Sequence, residues 1–412
     1  MSNPIAIFEN LRDTYLRYLD SPFDLRYPDL IAERRQLLDR DGRLYRRPLI
    51  EPVPAYQSSG QTFSQAAHAL LGPTWTPADI SHLSGFVSQG LFPLTRELYT
   101  HQRDVFEQSV VHGHDVVVTT GTGSGKTECF LLPIMAALVR ESPAWQAPSA
   151  RAPQWDWWNH WTMQGTNRRW APRIPQRRHE NRPAAIRALI LYPLNALVED
   201  QLMRLRVALD SDPVHTWLQT QRSGNHFYFG RYTGRTPVSG VETSAARTRL
   251  RTELADTERD AQLAAINPSA RFFFPRMDGG EMWSRWDVQD HPPDVLITNY
   301  SMLNIMLMRG VEEAIFAQTR QWLQSDRTHI FHLVVDELHT YRGTPGTEVA
   351  YLVRVLLDRI GLSPSSDQLR IIASSASLDT GHTGLQYLQA FFGRDQSRFQ
   401  IVGGTPQPLN TG

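Results

Sequence analysis

Three glycines alternate with small polar residues in the run TTGTGSGKT, which ends in a lysine and a threonine. Gly121, Gly123 and Gly125 let the backbone curl so that several N–H groups point at one anion. Lys126 can reach the β- and γ-phosphates of a nucleoside triphosphate, and the Thr127 hydroxyl can hold Mg²⁺. The run therefore predicts a phosphate-binding loop with ATP and Mg²⁺ as its ligands.

A strand must precede such a loop and a helix must follow it. The apolar run 115–118 fits the strand, and the apolar run 130–139 fits the helix, whose positive N-terminal end would face the phosphates. The strict pattern has Gly at position 120, where this chain has Thr, and Gly121 supplies the flexible residue instead. The predicted nucleotide contacts are Thr120, Gly121, Thr122, Gly123, Ser124, Gly125, Lys126 and Thr127.

The chain contains 42 lysines and arginines together, and Lys126 is the only lysine among them. A compact ammonium cannot be replaced by a flat guanidinium inside a phosphate cage. A sequence that uses arginine everywhere else therefore keeps its one lysine where this chemistry requires it. This observation strengthens the prediction of a nucleotide site.

The composition limits the number of domains and the kinds of binding site that the chain can have. With 412 residues, 41% of them hydrophobic, the chain can bury a large core and hold two or three domains. Its formal net charge of zero means that nucleic-acid binding must come from local patches. The single cysteine, Cys129, excludes an internal disulfide and a cysteine-based zinc site, and we expect it to pack in the core. No apolar run is long enough to span a bilayer, so a cytoplasmic protein without membrane contacts is expected.

Buried strands alternate with helices after the loop, at 188–192, 295–297, 332–335 and 369–373. This order predicts an α/β fold, with a parallel sheet flanked by helices. Asp336 and Glu337 follow one of these strands, and the carboxyl ends of parallel strands share one edge of the sheet. We therefore expect the pair beside the loop, with Asp336 holding Mg²⁺ and Glu337 activating water.

The predicted division of the chain is a helical N-terminal region over 1–90, a nucleotide-binding lobe over 91–395, and the start of a linker over 396–412. Two stretches, about 141–187 and 239–291, are too long for ordinary α/β connections and are predicted insertions.

The first insertion is rich in tryptophan and arginine, which leaves two interpretations open. Aromatic side chains among arginines suit single-stranded nucleic acid, by base stacking and phosphate neutralisation. A small satellite core of tryptophans with a solvated basic rim explains the same pattern. The residues concerned are Trp145, Trp155, Trp157, Trp158, Trp161 and Trp170, with Arg168, Arg169, Arg173, Arg177, Arg178, Arg182 and Arg187.

Together the motifs resemble the first RecA-like lobe of a superfamily 2 DExH helicase. The motifs are Gln102, the loop, Tyr192-Pro-Leu-Asn-Ala-Leu, Thr298-Asn299, Asp-Glu-Leu-His and Ser-Ala-Ser. The longer segments 191–201 and 336–343 are similar to large bacterial helicases of the Druantia antiphage-defence type. The resemblance covers about 91–408.

The resemblance implies a role for each matching residue. Gln102 would contact adenine, Lys126 and Thr127 the phosphates and Mg²⁺, and Asp336 and Glu337 the metal and the water. His339 would join the catalytic set and, with the turn Ser375, Ala376 and Ser377, couple hydrolysis to lobe movement. The expected contacts to the nucleic-acid backbone, which do not read sequence, are Pro193, Leu194, Asn195, Thr233, Gly234, Thr298 and Asn299.

The leading hypothesis is the first motor lobe of an ATP-dependent DNA helicase or translocase, with DNA, a second RecA-like lobe and other defence proteins as partners. The second lobe supplies an arginine finger worth about 10³ to 10⁵ in rate, so this lobe alone is expected to hydrolyse ATP poorly. Two alternatives stay open: a nucleotide-gated nucleic-acid clamp that does not unwind, and an ATPase that remodels proteins.

Overall fold

The computed structural model describes residues 3–21, 25–40, 42–46, 55–121, 123–267 and 270–407. Thr122, a predicted nucleotide contact, lies outside these residues, as do 408–412 of the predicted linker. The chain divides into two compact units, Met1–Pro54 and Ala55–Gly412.

The smaller unit contains two helices, α1 (Pro4–Asp20) and α2 (Pro28–Leu38). Each has proline in its first turn, where a missing N–H costs no hydrogen bond. Arg34 Nη2 and Arg35 Nε, both on α2, donate to the Asp20 carboxylate at 2.5 and 2.6 Å. The predicted helical character of this region is therefore observed in the smaller unit.

The larger unit alternates strands with helices. Its strands are β1 (Ser58–Thr62), β2 (Glu97–Tyr99), β3 (Asp115–Thr119), β4 (Trp161–Gln164), β5 (Asn167–Trp170), β6 (Ala188–Tyr192), β7 (Phe229–Tyr232), β8 (Val295–Asn299), β9 (Phe331–Val335), β10 (Leu369–Ser375) and β11 (Phe399–Gly403). Its helices are α3 (Phe63–Leu71), α4 (Pro77–Gly90), α5 (Thr100–Phe106), α6 (Lys126–Glu141), α7 (Asn195–Asp210), α8 (Asp212–Gln221), α9 (Ser244–Ala265), α10 (Arg285–Asp290), α11 (Tyr300–Met308), α12 (Glu313–Ser325), α13 (Gly343–Arg359) and α14 (His382–Phe392).

Seven strands form one sheet in the order β11-β3-β10-β9-β6-β8-β7, and every neighbouring pair is parallel. The remaining strands form two antiparallel pairs, β1–β2 and β4–β5. The strand that precedes the loop, β3, is one place from β10 and two from β9, which carries the acidic pair. All carboxyl ends therefore meet at one edge, where the predicted site residues follow them.

Helices cover both faces of the sheet, as residue alternation along the strands shows. Ile190 of β6 packs in a core cluster with side chains of α3, α4, α6, α7 and α8. Its neighbour Leu191 points to the other face, into a cluster built by α11 to α14. This is the arrangement of a RecA-like domain, so the predicted fold class is confirmed.

The larger unit differs from the predicted division at both ends. It begins at Ala55 rather than residue 91, because α3 and α4 bury side chains such as Leu83 and Phe86 in its main core. Residues 399–403, expected in a linker, form edge strand β11, with Phe399 buried and paired beside β3. Within the described residues, no helix is both long and apolar enough to cross a bilayer.

Candidate nucleotide-binding site

The glycine-rich run connects β3 to α6 in a tight turn. Gly123 and Gly125 have φ values of 77° and 75°, in the left-handed region that favours glycine. A Cβ at Gly125 would lie 2.2 Å from Gln102 Nε2, so a larger residue there would displace the Gln102 side chain. Ser124 Oγ donates to the Gly121 carbonyl at 3.0 Å and closes the turn. The turn therefore has the shape of a phosphate-binding loop, with Lys126 and Thr127 beginning α6.

The acidic pair lies beside this loop, as predicted. Lys126 Nζ is 3.1 Å from Glu337 Oε1, across 211 positions of sequence. Asp336 is held at the strand end because its N–H donates to the Leu191 carbonyl at 3.0 Å. Glu337 has a φ of 51°, which is uncommon outside glycine and indicates local backbone strain.

Ser374, at the end of β10, contacts both members of the acidic pair and was not predicted as a site residue. Its hydroxyl donates to Asp336 Oδ1 and accepts from the Glu337 N–H at 3.2 Å. Burial raises the pKa of the Asp336 carboxyl, the Ser374 hydrogen bond opposes that shift, and the nearby Glu337 charge adds to it. Ser374 therefore helps Asp336 to stay ionised.

Ser374→Ala is expected to move the acid limb of the ATPase pH profile of the full-length protein to higher pH. Removing the donor takes away an interaction that lowers the Asp336 pKa, so the carboxyl that would bind Mg²⁺ becomes protonated at higher pH. The measurement is ATPase rate against pH at saturating Mg²⁺. Ser377→Ala, whose side chain does not touch Asp336, should keep the wild-type limb, and an unmoved limb in Ser374→Ala would contradict the assignment.

His339 connects the acidic pair to the Ser-Ala-Ser turn. Its Nδ1 lies 3.3 Å from Glu337 Oε2 and 3.4 Å from the Ala376 backbone nitrogen. Arg342 adds a second link, because its Nη2 donates to the Ser377 carbonyl at 2.8 Å. These contacts provide a physical path between the carboxylates and the turn, and the coupling role of His339, Ser375, Ala376 and Ser377 stays a prediction.

Gln102 and His101 are buried against the loop from α5. Gln102 Nε2 donates to the Gly125 carbonyl at 3.2 Å, and its Oε1 accepts from the Tyr99 N–H at 3.0 Å. The amide nitrogen and the amide oxygen of Gln102 can each make one further hydrogen bond, as contact with adenine would require. That contact stays a prediction. His101 Nε2 lies 2.8 Å from the Ser124 carbonyl, which can only accept, so this nitrogen carries the proton.

Two more side chains contact the loop without having been predicted. The Tyr56 hydroxyl accepts from the Gly121 N–H at 3.0 Å, and Gln201 Nε2 donates to Thr127 Oγ1 at 3.3 Å. Gln201 closes the segment 191–201, so that motif contained the signal. Tyr56 lies in no recognisable motif and is brought to the loop by an antiparallel bridge to Pro406.

The predicted nucleic-acid contacts divide into buried and exposed residues. Thr298 is fully buried, and its hydroxyl donates to the Tyr232 carbonyl at 2.7 Å. Asn299 accepts from the Met302 N–H at 2.8 Å and donates to Asn195 Oδ1 at 2.6 Å. The ends of β8 and β6 are thus joined side by side, and Thr298 acts by positioning the backbone.

The exposed members of this set lie on two turns at the same edge of the sheet. Leu194 is 63% exposed, Pro193 is half-buried and Gly234 has open space around its Cα. Thr233 is buried, and its carbonyl accepts from Arg285 Nη2 at 2.7 Å. Leu194 and Gly234 make these two turns accessible from the solvent, and their contact with a phosphate chain stays a prediction.

The inner tryptophans of the first insertion form a satellite core with the second insertion. Trp157 and Trp158 are 0% and 1% exposed and pack with Leu250, Trp283 and Trp286. Trp158 Nε1 also donates to Glu258 Oε2 at 2.9 Å. For these side chains the satellite-core interpretation fits, because buried rings cannot stack on bases.

Several arginines of the insertion serve internal ion pairs. Arg182 Nη2 and Arg187 Nη1 lie 2.6 and 2.8 Å from the buried Asp294 carboxylate. Arg173 pairs with Asp287 at 2.8 Å. These guanidinium groups are committed to the fold, so they are not available to neutralise phosphates.

The β4–β5 hairpin is the part of the insertion that remains open to solvent. Trp161 pairs with Trp170 and Met163 with Arg168 across the strands, so these four side chains share one face. Trp161 and Trp170 are 42% and 38% exposed, and Arg168 stacks over Trp161 at 4.2 Å. The hairpin contains two arginines and no acidic residue. It keeps the single-strand interpretation open for this element.

Comparison with known proteins identifies the segment that carries the loop. Residues 99–226 match the sequence model of the DEAD/DEAH box helicase family. This segment is therefore similar to DEAD/DEAH box helicase domains. The chain is 30% identical, over an alignment 447 positions long, to Druantia protein DruE of Escherichia coli (strain UMEA 4076-1), across 97% of this chain and 22% of DruE.

Two further similarities extend over most of the chain. The chain is 24% identical over 290 residues to the uncharacterized ATP-dependent helicase YprA of Bacillus subtilis (strain 168), across 70% of this chain and 24% of YprA. A crystal structure of the DUF1998 helicase MrfA bound to DNA superposes with a TM-score of 0.42 and 20% identity, over 86% of this chain and 31% of MrfA. The chain thus spans less than a quarter of the length of both curated relatives.

Proposed function

We propose that this chain is the ATP-binding first motor lobe of an ATP-dependent DNA helicase or translocase. The observation that carries the proposal is the 3.1 Å contact between Lys126 and Glu337, which places the loop lysine against the acidic pair. A lysine, a hydroxyl and two carboxylates at one edge of a parallel sheet are what phosphoryl transfer to water requires.

The residues present fit Mg²⁺ and a triphosphate. The Thr127 hydroxyl and the Asp336 carboxylate are oxygen ligands, which Mg²⁺ prefers. Bound Mg²⁺ neutralises charge on the phosphate oxygens. Lys126 would exchange its partner Glu337 for phosphate, and Glu337, released from the lysine, would orient and deprotonate water. Ser374 and Leu191 keep Asp336 at the strand end throughout.

An antiphage role is part of the proposal, and it is supported by the similarity to Druantia protein DruE. The expected partners are DNA, a second RecA-like lobe with an arginine finger, and other proteins of a defence system. Sequence-independent contact is expected, because contacts to the phosphate backbone carry no base information directly.

The test uses the full-length protein with and without single-stranded DNA. Stimulated ATPase together with strand displacement or translocation supports the motor. ATPase stimulated by DNA without movement would favour the clamp instead, and ATPase that stays flat when DNA is added would favour a protein-remodelling enzyme.

The hairpin supplies a prediction about the nucleic-acid surface. Changing Trp161 and Trp170 together to alanine should weaken single-stranded DNA binding by about 1–3 kcal/mol for each base stack lost, roughly 5- to 160-fold per tryptophan, without lowering the melting temperature. Trp158→Ala is the matched control, because it opens the satellite core and should cost about 3–5 kcal/mol of stability. Fluorescence anisotropy with labelled oligonucleotide and thermal unfolding measure the two effects. Unchanged affinity in the hairpin variant would contradict a nucleic-acid role for this face.

A further inference from the structure

A second cluster of ligand-type side chains lies away from the nucleotide site. Asp210 ends α7, His215 lies in α8, and His226 lies three residues before the start of β7. One carboxylate oxygen and one ring nitrogen from each histidine lie within 4.8 Å of one another. His226 lies just before the amino end of β7, whereas the phosphate-binding loop follows the carboxyl end of β3. Because the sheet is parallel, the cluster lies at the opposite edge from the nucleotide.

The surroundings of Asp210 are shaped to hold its carboxylate in one position. The Gly280 N–H donates to Asp210 Oδ1 at 2.9 Å, and His215 Nε2 lies 2.7 Å from the same oxygen. A Cβ at Gly279 would lie 2.2 Å from Asp210 Oδ2, so only glycine leaves room for the carboxylate. Asp210 is 3% exposed. The carboxylate is therefore buried and fixed from two sides.

Two buried polar atoms of this cluster have no hydrogen-bond partner among the described residues: Asp210 Oδ2 and His226 Nδ1. A buried carboxylate oxygen or ring nitrogen without a partner costs free energy, and native proteins seldom leave one unexplained. A hydrogen bond between His215 Nε2 and Asp210 Oδ1 satisfies only those two atoms. It does not explain why Asp210 Oδ2 and His226 Nδ1 are buried beside them without a partner.

We propose that Asp210, His215 and His226 bind a divalent transition-metal ion, with Zn²⁺ as the best-fitting species. Two imidazoles and one carboxylate are a common donor set for zinc, and a fourth position is left for water or another ligand. A cavity of about 360 Å³, lined by both histidines together with Leu218 and Gly224, gives access to that position.

The ion would join four parts of the fold. It would tie the end of α7 to α8, to the start of β7 and, through Asp210, to the Gly279–Gly280 turn of the second insertion. This arrangement gives the metal a structural role, remote from ATP hydrolysis. The proposal is independent of the proposed motor function, because the ligands share no side chain with the nucleotide site.

The test measures metal content and metal binding of chain 1–412 after removal of any polyhistidine tag. Elemental analysis of protein purified with Zn²⁺ should give about one ion per chain. After chelation and dialysis, Co²⁺ titration should produce visible d–d absorption that saturates near one equivalent. Added Zn²⁺ should raise the melting temperature of the same apo-protein.

His226→Ala and His215→Gln should lower Co²⁺ affinity by at least the 10- to 100-fold that even an outer-shell partner is worth. His68→Ala, which removes an exposed histidine elsewhere, should bind as wild type does. Wild-type protein that retains no stoichiometric metal and gives no Co²⁺ spectrum overturns the proposal, whatever the variants do. Full binding by a folded His226→Ala variant overturns it as well.

Discussion

Lys126→Ala in the full-length protein is expected to reduce the ATPase rate by about 10² to 10³-fold or more, the loss typical when a donor to developing phosphate charge is removed. Lys126 is the only ammonium on a side chain of this sequence, and its Nζ already faces the carboxylate of Glu337. Lys126→Arg should fail similarly, because a guanidinium does not fit the compact position of an ammonium. Steady-state phosphate release measures the effect.

Arg96→Ala is the control for the lysine variants. Arg96 is an exposed cation near the same helix, 3.9 Å from Glu128, and its loss should leave turnover close to wild type. The unique lysine also permits a chemical check on chain 1–412. An amine-selective reagent should modify one side chain, at Lys126, and ATP should protect it. Turnover near wild type in Lys126→Ala, or labelling that ATP does not slow, would remove the loop from the mechanism.

Glu337→Gln is expected to retain ATP binding while hydrolysis falls by about 10² to 10⁴-fold, the range for loss of a general base. The amide keeps the shape of the side chain but cannot take a proton from water. It also removes the negative partner of Lys126, so the lysine becomes fully available to phosphate and binding should be unchanged or tighter. Equilibrium binding of a fluorescent nucleotide and single-turnover hydrolysis separate the two effects.

Glu348→Gln provides the matched control, since Glu348 is an exposed carboxylate on α13 outside the site. It should leave both binding and hydrolysis unchanged. If Glu337→Gln loses nucleotide binding instead, the residue holds the fold of the loop, consistent with its strained backbone, and the role of general base belongs elsewhere.

The sequence could predict the nucleotide site because one geometric rule places its parts. Parallel strands end at a shared edge, so Lys126 after β3 and Glu337 after β9 had to be neighbours although 211 positions separate them. Ser374 could not be singled out in the same way. It belongs to the same turn as Ser375 and Ser377, and only the register of β10 decides which of the three hydroxyls reaches Asp336.

Composition alone could not assign the tryptophans of the first insertion. Trp157 and Trp161 are four residues apart in equally aromatic and basic surroundings, yet one is fully buried and the other is 42% exposed. The difference arises from α9, which belongs to the other insertion and packs Leu250 and Leu254 in one apolar cluster with the inner rings. The larger unit begins at Ala55 rather than at residue 91 for the same reason, because Phe86 packs against Trp217 and Phe227, which lie more than a hundred positions later.

The contact between Tyr56 and the Gly121 amide makes the nucleotide turn sensitive to a distant part of the chain. Gln57 N–H donates to the Thr405 carbonyl at 3.0 Å and Gln407 N–H to the Ala55 carbonyl at 2.7 Å, so residues 55–57 and 405–407 are fastened together. A force that pulled residues 405–407 away from the sheet would also displace Tyr56 and break its hydrogen bond with the Gly121 N–H. A force on residues 405–407 would thus reach the phosphate-binding loop through the hydroxyl of Tyr56.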